Sequence, residues 1–504
     1  MYRMPIHSCR ATGLLSAALA VIASLLLVAN AQAAVPGIAG TAGTTGITFN
    51  LTASADYTSQ PDGASLYSWG YGCSAGFTPT FLPPGMHGAN CPLMQIPGPT
   101  LIVTAGQTIT ITLTNALPPA AGNTSIVFPA FQVTASGGVD GMLTKEAAPG
   151  GQVSYQFTAT KPGTYSYYSG SQADVQIPMG LYGAVIVLPD PASPNIASCT
   201  STNAMSLAKA AYDHPETCYD REYLFQLSEI DYRLNAAVET AIKSSTCTAA
   251  PCPTLSVPTE PFLPQYYLIN GRSMPDDLDL PYTPGLPHQP YYGNPHMHPG
   301  EHMLIRLIGQ GRYQHPLHIH GNHARVLAYD GNLLTALNDT QTPARLAGPL
   351  LFTLPTVSGQ SMDAIFSWSG QGLNWDVYGR DTPHTCNGLP LSADPNDPAQ
   401  RSAGFDPVTH EYCPDHGKAI PVTPPDPAIV ANGLWYGGTP YLGLQSASPT
   451  PLPPGSNIQN PDAGYAYMWH SHDEREITTN NVFPGGMMMM MIIDPPTAPI
   501  DETK

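Results

Sequence analysis

Apolar and polar residues alternate in short runs along most of this chain, and the runs are bounded by Gly or Pro. Alternation with period two marks strands of a sheet, because successive side chains point to opposite faces. In the first part of the chain, residues 101–104, 108–114, 151–158, 163–168 and 183–188 each read as a strand. The same pattern predicts strands over 224–231, 266–269, 301–308, 318–329, 361–366, 465–472 and 487–494, with one short helix over 231–241. No tandem repeat of fixed short period underlies this order.

The composition fits that reading. With 55 Pro and 47 Gly, turns are frequent and long helices scarce, as in a β-sandwich chain. A chain of 504 residues is too long for one sandwich. We expect a first unit over 40–190, a connector over 191–222 and a second unit over 223–495, with a loop-rich excursion over 378–462. Residues 1–33 stand apart. Arg3 and Arg10 flank an apolar run over 14–28, and Ala31-Gln32-Ala33 follows as a small-x-small cleavage site. The run is short for a membrane span, so the expectation is a signal peptide and an exported chain, periplasmic or extracellular, with no membrane association after cleavage.

Without that segment, 16 basic residues face 36 acidic ones, a charge of about −20. That balance argues against nucleic acid or anionic lipid as a partner. The remaining eight cysteines suggest disulfides in an oxidising compartment. Sequence neighbours suggest Cys73 with Cys91, Cys199 with Cys218, Cys247 with Cys252 and Cys386 with Cys413, although connectivity is not fixed by sequence. All eight lie in irregular stretches, as loop staples rather than metal ligands.

The chemistry concentrates in His315-Pro316-Leu317-His318-Ile319-His320-Gly321 and in His470-Ser471-His472. On a strand, His318 and His320 share a face, as do His470 and His472, while His315 and Ser471 tend to the opposite face. Two such strands side by side converge four imidazoles, a donor set for copper, with zinc also suited. The competing reading is a set of hydrogen-bonded core histidines. Asn294-Pro295-His296-Met297-His298-Pro299-Gly300-Glu301-His302 forms a second cluster, read as a solvated lead-in or as an auxiliary copper-handling loop. Met487 to Met491 reads mainly as core filler, with Met487 alone placed for an axial ligand. Asp473 and Glu476 read as solvated loop charges.

These motifs resemble the multicopper oxidase family. Pro97-Gly98-Pro99-Thr100, Gly106-Gln107-Thr108, Pro149-Gly150-Gly151, Pro162-Gly163-Thr164-Tyr165 and Gly180-Leu181-Tyr182-Gly183 match its signposts, and 315–321 matches its copper motif. The resemblance implies an all-β fold of two cupredoxin-like Greek-key sandwiches, copper as cofactor and oxidoreductase activity on a small-molecule or metal-ion reductant. By the same resemblance the chain forms a homo-oligomer, a trimer. The family's electron entry is a copper held by Cys and two His, and eight further His hold a trinuclear cluster. Here the first-unit positions read Phe128-Pro129-Ala130-Phe131 and Tyr167-Tyr168-Ser169-Gly170, Ser471 replaces the Cys, and Glu476 stands where a His is expected. The expected metal residues are therefore His318, His320, His470 and His472, with His315 on the other face. A non-catalytic copper-binding or structural protein is the alternative.

Overall fold

A computed structural model describes residues 35–378 apart from 44, 45 and 204, then 386, 404–406, 409–418, 438–441, 464–494, 496 and 498–503. The expected signal segment and most of the loop excursion lie outside the described residues.

Strands account for the fold, and they fall into two sandwiches. In the first, a five-stranded sheet runs in the order Gly163–Tyr168, Tyr182–Leu188, Leu101–Thr104, Gly37–Ala39, Thr80–Leu82. It faces a sheet built on Ile47–Ser59, Thr108–Asn115 and Gln152–Thr158. Thr108–Asn115 shows why they pack: Ile109, Ile111 and Leu113 are buried while the threonines between them are not. They meet Leu101, Val103, Tyr165 and Val185 from the other sheet in one core.

The second sandwich repeats this plan. One sheet runs Tyr266–Ile269, Arg221–Ile230, His302–Gly309, Ser361–Ser367, Ala324–Tyr329, Asn332–Leu333. The other runs His296–Met297, Met488–Ile493, Gly464–Ser471, Pro316–His318, Thr353–Pro355. The strand expected over 318–329 is in fact two, Pro316–His318 and Ala324–Tyr329, in different sheets. Gly321, at a φ of 99°, lies in the break between them. Left-handed backbone at that point suits glycine.

Between the units, Ile102, Ala184 and Ile186 pack on Leu224 and Ile308. Arg306 is fully buried there. It donates from Nε to Glu222 at 2.8 Å and from Nη1 to Thr164 Oγ1 at 3.0 Å, and Thr164 donates to Asp363 at 2.6 Å. A helix over Tyr232–Ser244, capped by the Asp231 carboxylate, sends Leu234 and Val238 into the first unit's core. The disulfides are Cys73–Cys91, Cys199–Cys218, Cys247–Cys252 and Cys386–Cys413. Among the described residues no helix is long and apolar enough to cross a membrane.

Candidate metal centre

Register places the histidines. In the Pro316–His318 strand, His318 lies opposite His470 on one side and Thr353 on the other. Directly opposed residues share a face, so all three look the same way. His472 extends that face, because its amide donates to the Pro316 carbonyl at 2.8 Å and adds a rung to the ladder. His320 lies just beyond the strand, its carbonyl held by Trp469 Nε1–H at 2.9 Å.

The four rings converge. His320 Nε2 is 3.2 Å from His470 Nε2. The His318 ring centre lies 4.6 Å from that of His320, 5.5 Å from His470 and 4.7 Å from His472. One nitrogen each from His318, His320 and His470 falls within 4.8 Å of the others. His318 and His320 are buried, His470 half-buried and His472 exposed, so the centre opens at one side.

Neighbours set the proton positions. His470 Nδ1 is 2.7 Å from the Ser471 carbonyl. A carbonyl only accepts, so Nδ1 carries the proton and Nε2 keeps its lone pair. His318 Nδ1 is 2.8 Å from the Thr353 hydroxyl. Burial, then the adjacent His470 and His472, push His318 down to about 4. His470 is lowered as well, again mainly by burial. Neutral imidazole is the form that ligates a metal.

These donors fit one ion. A tetrahedral site with metal–nitrogen bonds of about 2.0–2.1 Å sets neighbouring nitrogens about 3.3 Å apart, close to the His320–His470 separation. Four imidazoles are too few for three coppers.

The opposite face is built differently, and His315 belongs to it. This side chain is fully buried, with Nε2 2.9 Å from Glu229 Oε2 and Nδ1 2.9 Å from Glu476 Oε1. Ser471 donates to Glu476 Oε2 at 2.5 Å. Glu229 Oε1 also accepts the Arg312 and Tyr313 amides at 2.6 and 3.2 Å. Burial disfavours the imidazolium, but the Glu229 and Glu476 carboxylates overcome it and raise His315 to about 9. His315 is thus a clamped cation, with neither nitrogen offered to a metal alongside the other four. Glu476, expected as a solvated loop charge, is buried in this triad. Asp473 is exposed, as expected. The family's thiolate copper does not fit here: Ser471 stands at the cysteine position, and carboxylates engage the histidine.

The first-unit positions also lack metal donors. Phe128 packs against Tyr155, Phe157 and Tyr167 in the core. Pro129 and Tyr168 line a cleft of about 500 Å³ that also includes Asp330 and Gly359 of the second unit and none of the four histidines. The second histidine cluster serves other contacts. His296 Nδ1 lies 2.6 Å from Asp494, and His298 bridges Glu301 and the Ala498 carbonyl. His302 stacks on His410. Cys386 comes close to Glu411 and His416, but its sulfur is already bound to Cys413.

Sequence reasoning missed Glu229 and Thr353. Glu229 had a signal: it is a carboxylate inside the apolar 224–231 run. Thr353 had none, since only strand pairing brings it to His318.

A multicopper oxidase family model matches residues 93–192, the unit that lacks the histidines. A laccase of Aspergillus fumigatus, abr2, is 28% identical over 224 residues, 41% of this chain and 35% of that protein. Multicopper oxidase VdtB of Byssochlamys spectabilis is 30% identical over 141 residues, 27% of this chain and 19% of that one. The matched stretches thus span about a third or less of these relatives' length. Among solved structures, multicopper oxidase mgLAC aligns with a TM-score of 0.45 at 14% identity, covering 90% of this chain and 87% of that one. A blue copper oxidase of Nitrosomonas europaea gives 0.44 at 15%, covering 88% and 85%. Over residues 93–192 the chain is thus similar to the multicopper oxidase family. Copper is the metal that family implies.

Proposed function

We propose that this chain is an exported copper protein of multicopper oxidase type that holds a single copper at His318, His320, His470 and His472. In this reading it acts as an oxidoreductase on a small-molecule or metal-ion reductant. The observation that carries the reading is the 3.2 Å approach of two Nε2 atoms, close to the spacing of ligands around one ion. When bound, copper supplies one-electron exchange at a histidine-only site. The chain's own groups do the positioning: the Ser471 carbonyl and the Thr353 hydroxyl orient two rings, and exposed His472 leaves the approach open. Four-electron reduction of dioxygen is left out: among the described residues four imidazoles converge at this centre, too few for a trinuclear cluster, and Ser471 stands where the family has its thiolate.

The four disulfides and residues 1–33 support export, and the family likeness supports a homo-oligomer as the working form. A non-catalytic copper binder is the second reading, favoured by the carboxylate-clamped His315 where the family keeps its electron entry. Metal analysis of the purified chain beside a His318→Ala/His470→Ala variant tests the site. The wild type is expected to retain copper and the variant to lose it. Equal content in both, or zinc alone in the wild type, contradicts the assignment. Oxidation of a phenol or a metal ion by the copper-loaded chain then separates enzyme from binder.

A further inference from the structure

The outer face of the histidine sheet continues past His470 as a row of thioethers. Met488 lies directly opposite His470, and Met490 directly opposite Met468. Their neighbours in sequence, Tyr467, Trp469, Met489 and Met491, are buried in the core between the sheets. Alternation therefore puts Met468, Met488 and Met490 on the same face as His470. Met488 is buried, while Met468 and Met490 are half-buried. Met487, the methionine the sequence suggested as a ligand, is core instead. The outer face of a sandwich strand is ordinarily polar. Here it carries three sulfurs, successive rows being about 6.6 Å apart along the strand. The row runs on through Ile492 to His296, which pairs with it.

We infer that Met468, Met488 and Met490 form a cuprous-ion site beside His470. Thioethers are soft donors that select Cu(I). A thioether also needs no deprotonation, so the sulfurs offer the same donors at any pH. The three sulfurs supply the donors, since the single lone pair of His470, on Nε2, serves the proposed histidine centre, and the site gives reduced copper a holding place next to that centre. It involves binding alone, with no change of oxidation state.

Anaerobic titration of the full chain with Cu(I) against a chelating competitor reads the number of tightly held cuprous ions. X-ray absorption at the copper edge reads whether sulfur is in the shell. The wild type is expected to hold one more Cu(I) than Met468→Leu/Met488→Leu/Met490→Leu and to show copper–sulfur scattering that this variant loses. Leucine nearly conserves volume, so the variant should fold, and Met487→Leu should keep both signals. Equal Cu(I) counts in wild type and triple variant, or a wild-type shell without sulfur, overturns the inference. Cu(II) binding on the same samples, followed by electron paramagnetic resonance with His318→Ala as reference, reports the histidine centre separately. Failure of one site is then distinguishable from failure of the other.

Discussion

The two faces of the strands that carry His318 and His470 hold the same residue type in opposite roles. On the outer face four imidazoles crowd together with few charges nearby, and burial drives His318 to about 4. On the inner face one imidazole sits between two carboxylates and is raised to about 9. The first arrangement leaves neutral rings that can ligate a metal. The second uses its histidine as a buried cation that neutralises Glu229 and Glu476. A histidine's role in this molecule is therefore set by what the opposite strands bring to its ring, not by membership in a motif.

The largest expected effect comes from breaking the charged face. Glu229→Ala removes a partner of His315 and the acceptor for two amides, and breaking a buried ion pair costs about 3–5 kcal/mol. A thermal or denaturant melt should show that loss, while metal binding by the folded fraction persists. A change within about 0.5 kcal/mol would mean the triad is not the ionic cluster described.

Titration of His315 gives the next effect. Its folded pKa is raised, so its stabilisation is full below the unfolded value near 6.5 and is lost as pH rises through about 9. A shift of that size corresponds to about 3 kcal/mol. Denaturation curves between pH 6.5 and 9 should fall accordingly, and His315→Gln should flatten the fall.

On the other face the effects are on metal affinity. Thr353→Val removes the hydroxyl that orients His318, and loss of such a partner typically weakens metal binding about 10–100-fold. Stability of the metal-free chain should change little, by about 1 kcal/mol. Unchanged affinity would show that His318 needs no orienting group. The smallest expected effect is that of Ser471→Cys. Restoring sulfur should give no intense blue band, because Glu229 still engages His315; a strong blue colour would show that the carboxylates yield to copper.

How much of this was legible in the sequence follows from the range of each interaction. Strand parity alone assigns His318, His320, His470 and His472 to one face and His315 and Ser471 to the other, since period two is a local property. The partners of His315 were not legible: Glu229 is 86 residues away, and only the sheet stacking brings it in. The switch of sheets after His320 was also missed, although Gly321-Asn322-His323 interrupts the apolar pattern there with turn chemistry. The hairpin of Ile47–Ser59 and Ser65–Cys73 escaped because its apolar signal is weak. Its inward positions after Phe49 and Leu51 shrink to Ala53, and the run ends in polar residues.

The most direct test of the contrast between the faces is metal stoichiometry with visible absorption on copper-loaded protein. This account predicts a single Cu(II) per chain, abolished in His318→Ala/His470→Ala, and no intense blue band. A blue band, or three or more coppers per chain that survive in the variant, would contradict it.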